Sequence, residues 1–233
     1  MGVGSDVVLG VTFLTVCFLY AAALLSGWRR AKRGRLDVTT LVQTRRAFID
    51  PLTRRFQQWG QREKMNALRQ KRWFRLWLLI SANNLGAVAF VGRTLYGVAL
   101  VPAVYFTYRQ GLTHGTFLAQ PSIRPRGEML QVMVLEFGAY LLATALGVNL
   151  VMTPLTGGVF TDALASLLTF YPVVAAALLA GAWLEVRALR SQMPAGLQIP
   201  ENLTVEELRA KAMEMIKRRS GHDGPLQPGT PHE

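Results

Sequence analysis

Residues 7–28 read VVLGVTFLTVCFLYAAALLSGW, a run of 22 positions without a charged side chain. A second run of 22 uncharged positions, residues 163–184, reads ALASLLTFYPVVAAALLAGAWL. A helix needs about 20 apolar residues to cross the hydrocarbon core of a bilayer. Both runs therefore predict membrane-spanning helices, and they exclude a soluble enzyme and a disordered basic protein.

The composition points to a membrane protein with a strongly basic surface. The chain has 233 residues, 51% of them hydrophobic, and a formal net charge of +12. In a soluble domain this charge would indicate nucleic-acid binding. Here the basic residues flank the apolar runs, so we predict contact with anionic lipid and no contact with nucleic acid. The single cysteine, Cys17, and three scattered histidines predict no disulfide, metal site or cofactor.

The first apolar run is predicted to be a retained anchor and not a cleaved signal peptide. Residues 1–6 carry no positive charge, and the run is longer than the about 7–15 residues of a signal-peptide core. Five basic residues follow directly, within 29–35. Because basic residues are retained on the cytoplasmic side, this arrangement places the N-terminus outside.

The middle of the chain has two uncharged runs, 76–91 and 94–108, separated by Gly92 and Arg93. They form either two short spans or one long tilted helix. Two spans leave 25 Lys and Arg inside and only Arg93 outside, whereas one helix gives 15 inside and 10 outside. The positive-inside rule favours two spans. We therefore predict an all-α polytopic membrane protein, N-out and C-in, with five transmembrane helices at 7–28, 76–91, 94–109, 129–152 and 162–186.

The same reasoning divides the chain into four regions. These are an N-terminal anchor (1–28), a basic cytoplasmic amphipathic segment (29–75), a glycine-rich helical membrane core (76–186) and a cytoplasmic C-terminal region (187–233). In the last region Thr204 and Glu207 form a capping box that predicts a helix, followed by a Gly/Pro-rich tail that we expect to be disordered.

The basic segment contains a predicted amphipathic helix that opens at Pro51. Its aromatic residues share one helical face and its arginines surround that face, which is typical of a helix on a membrane surface or against a partner. The predicted docking residues are Arg45, Arg46, Phe48, Arg54, Arg55, Phe56 and Trp59.

Polar residues inside lipid are costly, so they are the first candidates for function. Asn83, Asn84 and Glu136 lie within predicted spans, and Arg93 is placed at an outer turn. Glu136 is either a proton or ion relay or, as we favour, a structural carboxyl bonded to Asn84 or to a backbone donor. His114 is interpreted as an interfacial polar residue.

Gly111 and Gly115 have the GxxxG spacing that lets two helices approach closely, although a turn would also use glycine there.

Enzyme motifs of the types HExxH, GxSxG and GxxxxGK[ST] do not occur in the chain. We therefore predict no catalytic residues.

The central stretch resembles the stage II sporulation protein M family over about residues 76–150. The resemblance is carried by SANN at 81–84, by Gly92 and Gly97, by YRQGLTHGTFLA at 108–119 and by LEFGAY at 135–140. It matches the asparagine pair, the turn glycines Gly111 and Gly115, and the acid Glu136. Gln110 replaces the asparagine of the family's turn, and Val132 and Met133 stand where the family has His-Gly.

The resemblance implies a non-enzymatic polytopic protein, since founding members look like scaffolds for cell-wall remodelling machinery during engulfment. We accordingly expect a scaffold or assembly subunit in a bacterial or archaeal inner membrane. Its expected partners are anionic lipid on the cytoplasmic side, other membrane or cytoplasmic proteins, and a second copy of the chain. The alternatives are a permease-type subunit working with a separate ATPase and, third, an intramembrane enzyme.

Overall fold

The computed structural model describes residues 4–34, 51–119 and 127–192, without the side chains of 51–58, 127–129 and 192. This described part is all-helical and belongs to one compact unit, Met1–Ala195. The predicted capping box and tail after residue 195 lie outside the described residues. The six helices are α1 (Ser5–Lys32), α2 (Pro51–Arg69), α3 (Trp73–Val98), α4 (Leu100–Leu118), α5 (Gly127–Leu155) and α6 (Phe160–Gln192).

Four of these helices are long and apolar enough to cross a membrane, which makes the chain a multi-pass membrane protein. The four candidate spans are Ser5–Lys32, Trp73–Val98, Leu130–Leu155 and Phe160–Ser191. The predicted span at 94–109 overlaps α4, which does not reach the same hydropathy because it carries Arg109, Gln110 and His114.

The predicted break between the two middle helices, at Gly92 and Arg93, is wrong. Helix α3 continues through both residues to Val98, and the chain breaks at Ala99, whose φ and ψ are −96° and 92°. The physical reason is Pro102, which has no N–H to donate to the carbonyl four residues earlier. Proline is tolerated in the first turn of a new helix, so α4 starts there instead.

Each end of α1 and α2 is explained by local sequence. Helix α1 has Asp6 in its first turn and Arg29, Arg30 and Lys32 in its last turn, which matches the helix dipole. It ends before Gly34, which adopts a left-handed φ of 66°. Helix α2 begins at Pro51, as predicted.

Contacts along the bundle define the direction of every helix. Helices α3 and α5 are parallel, because Asn84 meets Glu136 at one end and Gly97 meets Gly147 at the other. Helix α4 therefore returns the chain across the bundle between them, and it runs parallel to α1. Helix α6 is antiparallel to α5, since Gly181 lies against Glu136 and Ser166 lies at the opposite end.

The core between the helices is built from small side chains. Buried alanines of α3 and α5 pack in one cluster with Leu146, Val174 and Leu178, which are fully buried. Large apolar residues lie on the outside instead: Phe18 is 77% exposed and Val101 is 80% exposed. This pattern is the reverse of a soluble protein, in which large apolar side chains fill the core.

Glycines allow the closest helix contacts. A Cβ on Gly115 would collide with the backbone of Leu24, and a Cβ on Gly111 would lie 2.6 Å from the carbonyl oxygen of Tyr20. Both glycines are inside the continuous helix α4, so they serve helix packing and not a turn. The turn that the family resemblance implied at these residues is therefore wrong.

We predict that Gly115→Ala destabilises the protein by about 1–3 kcal/mol, because the added methyl group forces α1 and α4 apart. Gly138→Ala is the matched control, since a Cβ at Gly138 has no atom within 4 Å. Alanine favours helix over glycine, so the control should be neutral or slightly stabilising. Thermal unfolding in detergent measures both, and equal effects of the two substitutions would contradict this account of the packing.

Candidate functional site

The intramembrane polar residues predicted from sequence meet at the contact of α3 with α5. The Asn84 amide Nδ2 donates to Glu136 Oε1 at 2.7 Å, and the Asn83 Nδ2 donates to Asn84 Oδ1 at 3.2 Å. Asn84 is only 9% exposed, and Asn83 is half-buried. Of the two partners that the structural interpretation of Glu136 left open, Asn84 or a backbone donor, the structure shows Asn84. It gives the carboxyl group a donor inside the protein, where lipid provides none.

The carboxyl group of Glu136 also faces α6. A Cβ on Gly181 would lie 3.1 Å from the Glu136 Cγ, so the glycine leaves room for the acidic side chain. Glu185 follows Gly181 by four residues and therefore shares its helix face. The two acids accordingly occupy neighbouring positions on α5 and α6.

Helix α2 brings a positive charge to the same place. Ala67 of α2 packs in a cluster with Leu76 of α3 and Val186 of α6, and Lys64 lies one turn before Ala67. Burial lowers the pKa of Lys64, and the negative charges of Glu185 and Glu136 oppose that shift. We call the set of polar residues that leads from α2 into the bundle the polar column. It consists of Lys64, Glu185, Glu136 and Asn84. Within it, the charge of Lys64 opposes the negative charges of Glu185 and Glu136.

Arg93 lies inside the bundle and not at an outer turn, which corrects the prediction. Its guanidinium donates a hydrogen bond to the side-chain oxygen of Gln110 on α4. The guanidinium carbon also lies 5.9 Å from the centre of the Tyr140 ring, within the range of a cation–π contact. Tyr140 lies one turn beyond Glu136 on α5, so these groups extend the same polar region deeper into the bundle.

The backbone of α3 explains why Arg93 points inward. Residues Asn83–Leu95 form a π-helix, in which hydrogen bonds join residues five apart. The buried positions within it, Asn84, Ala89 and Thr94, accordingly recur every five residues. At the about 100° per residue of an α-helix, Asn84 and Arg93 would lie on opposite faces. At about 82° per residue they lie within about 20° of each other.

A second pair joins α1 to α4. The Tyr20 hydroxyl and His114 Nδ1 are 2.7 Å apart, and the His114 ring stacks on Phe137 with 3.9 Å between ring centres. His114 is therefore held between α1, α4 and α5, and its interpretation as an interfacial polar residue stays a prediction. Its position on one helix face with Gln110, four residues earlier, is the signal that sequence reasoning overlooked.

A third network ties the other end of the bundle together. Asn149, fully buried, donates to the Ser5 hydroxyl at 3.1 Å and accepts from the Thr153 hydroxyl at 2.9 Å. The Ser5 and Ser166 hydroxyls are 3.1 Å apart. This network connects α1, α5 and α6. Single serines, threonines and asparagines in apolar helices carry no sequence signal that distinguishes such a cluster.

The predicted docking residues of the basic segment are described only in part. Arg45, Arg46 and Phe48 lie outside the described residues, and the side chains of Arg54, Arg55 and Phe56 are likewise outside them. Trp59 is described, lies on α2 and is 56% exposed. Among the described residues, no group of three or more His, Cys, Asp or Glu is arranged to hold a metal ion.

The chain matches no protein-family model, no curated protein and no solved structure. The candidate site is therefore described by its own geometry.

We predict that Asn84 and Glu136 are energetically coupled. Replacing either residue by leucine leaves the other partner unsatisfied, which costs about 0.5–2 kcal/mol between membrane helices. Replacing both residues removes donor and acceptor together. The double variant should therefore lose less unfolding free energy than the two single variants lose in sum. A double-mutant cycle by unfolding in detergent measures the coupling. Strictly additive losses for Asn84 and Glu136 would disprove the pairing.

Proposed function

We propose that this chain is a non-enzymatic scaffold or assembly subunit of a prokaryotic inner membrane that packs and recruits partner proteins. The observation that carries the proposal is that three pairs of polar side chains inside the bundle lie at hydrogen-bond distance from one another. Asn84 bonds to Glu136 and Arg93 bonds to Gln110, while Tyr20 lies at hydrogen-bond distance from His114. Groups that serve transport would face water or substrate, whereas these groups are occupied within the protein.

We further propose five spans with the N-terminus outside and the C-terminus inside. Helices α3 and α5 are parallel, so the chain has to cross the bundle once between them, and α4 provides that crossing. The polar side chains that lower the hydropathy of α4 have partners inside the protein, as Gln110 and His114 show. The distribution of Lys and Arg supports the same orientation.

The surface proposed for partners lies on α2 and the turn that follows it. Trp59 is more than half exposed, and Arg62, Lys71 and Arg72 are exposed basic residues. Such a surface suits an acidic cytoplasmic partner or the acidic part of another membrane protein. The resemblance of residues 76–150 to the stage II sporulation protein M family supports cell-wall remodelling machinery as the kind of partner.

A permease-type subunit is the second candidate function, and the polar column favours it. The column leads from Lys64 on α2 to Glu136 in the bundle, which is where a coupled proton would pass. In this alternative Glu136 has to release a proton during each cycle, and a separate ATPase would contact the inner face.

The proposed topology predicts which introduced cysteines are labelled from each side, on a Cys17→Ala background. Cysteines at positions 71 and 124 should react from the cytoplasmic side and one at position 157 from the outside. Position 124 follows α4, so it is the discriminating site. Labelling of position 124 from the outside, with position 157 labelled from inside, would show that α4 does not cross the membrane.

The scaffold proposal predicts that Glu136→Gln is tolerated, because glutamine keeps the size of glutamate and still accepts a hydrogen bond from Asn84. Affinity purification from native membranes, followed by mass spectrometry, should recover the same stoichiometric partner with wild-type protein and with this variant. Arg62→Gln/Lys71→Gln/Arg72→Gln is the control bait, which should lose a cytoplasmic partner. A folded and assembled Glu136→Gln protein that is functionally dead would overturn the scaffold in favour of the permease.

A further inference from the structure

A groove of about 360 Å³ runs along the end of α1 that precedes the basic segment. It lies between small residues on the apolar side and arginines on the other side. Its described lining consists of Ala22, Leu25, Ser26, Arg29, Arg30 and Arg33. The spacing of three and four residues places all six on one face of the helix.

Within the part of the chain that the structure describes, this face points away from the helix contacts of α1. Helix α4 packs on the other face, where Gly27 and Leu24 meet the backbone of Leu112 and Gly115. The three lining arginines are exposed, and Leu25 is 44% exposed. Lys32, by contrast, is not part of the groove, and its ammonium lies 6.0 Å from the centre of the Trp28 ring.

The position of the groove along the membrane normal selects the ligand. The uncharged run of α1 ends at Trp28, so Arg29 begins where the hydrocarbon core gives way to headgroups. Guanidinium groups bind phosphate oxygens in bidentate fashion, and the Ser26 hydroxyl is a further donor. Ala22 and Leu25 continue the groove into the apolar zone, where an acyl chain would follow the phosphate.

We propose that this groove is a binding site for the phosphate of an anionic phospholipid of the cytoplasmic leaflet. The phosphate would lie among Arg29, Arg30 and Arg33, and the upper part of one acyl chain would lie along Ala22 and Leu25. Because half of the groove is apolar, the site fits a lipid with an acyl chain and not free phosphate. The proposal concerns α1 alone and does not depend on the scaffold function.

The test is native mass spectrometry of the full-length protein, released from mixed micelles that contain phosphatidylglycerol and phosphatidylcholine. We expect selective retention of phosphatidylglycerol. Ala22→Phe fills the groove without changing the charge, so it should lower this retention at least fivefold. Ala21→Phe is the matched control, because Ala21 is exposed on the same helix but does not line the groove. Equal effects of the two substitutions would overturn the proposal.

A second comparison separates the site from general attraction between basic residues and anionic lipid. Arg29→Gln/Arg30→Gln/Arg33→Gln should lower retention by about fivefold for each arginine, the equivalent of ~1 kcal/mol per charge. Lys71→Gln/Arg72→Gln removes exposed charges outside the groove and should have little effect. An equal loss per charge in both variants would rule out a specific lipid site at the groove.

Discussion

A charged or amide side chain inside a bilayer has to find its partner within the protein, because lipid offers neither donors nor acceptors. This constraint explains the least regular element of the fold, the π-helix at Asn83–Leu95. An α-helix would direct Arg93 away from the face that carries Asn84. The wider π-helical turn brings both residues to the bundle interior, where each has a side-chain partner.

Close glycine contacts are the second condition that the polar interior requires. Hydrogen bonds between side chains of neighbouring helices need short distances between the helix axes, and Gly97, Gly111, Gly115 and Gly147 provide them. Gly111 and Gly115 also explain how α4, which is the more polar helix, is held beside α1. Its Gln110 and His114 face partners on α3 and α1, so their polarity is satisfied in the bundle and not exposed to lipid.

These two features together describe a tightly packed membrane body in which Asn84, Arg93 and Gln110 have side-chain partners within the protein. Helix α2 is fixed to this body at its C-terminal end through Ala67, and Arg75 of α3 forms an ion pair of 2.6 Å with Glu63. Arg62 on α2 and Lys71 and Arg72 in the turn after it, all exposed, are thereby held beside this body. A fixed body with exposed basic residues beside it supports the proposal that the chain assembles partners.

Local physics was enough to predict the fold class, the long outer spans, the start of α2 at Pro51 and the candidate residues Asn84 and Glu136. Hydropathy, charge and proline chemistry are properties of short segments, so they can be read without knowing what packs against them. The inward direction of Arg93, the pair of Tyr20 with His114, and the network of Ser5, Asn149 and Ser166 depend on residues far apart in sequence. The π-helical register and the helix contacts decide these features, because they determine which polar side chains face one another and which face lipid.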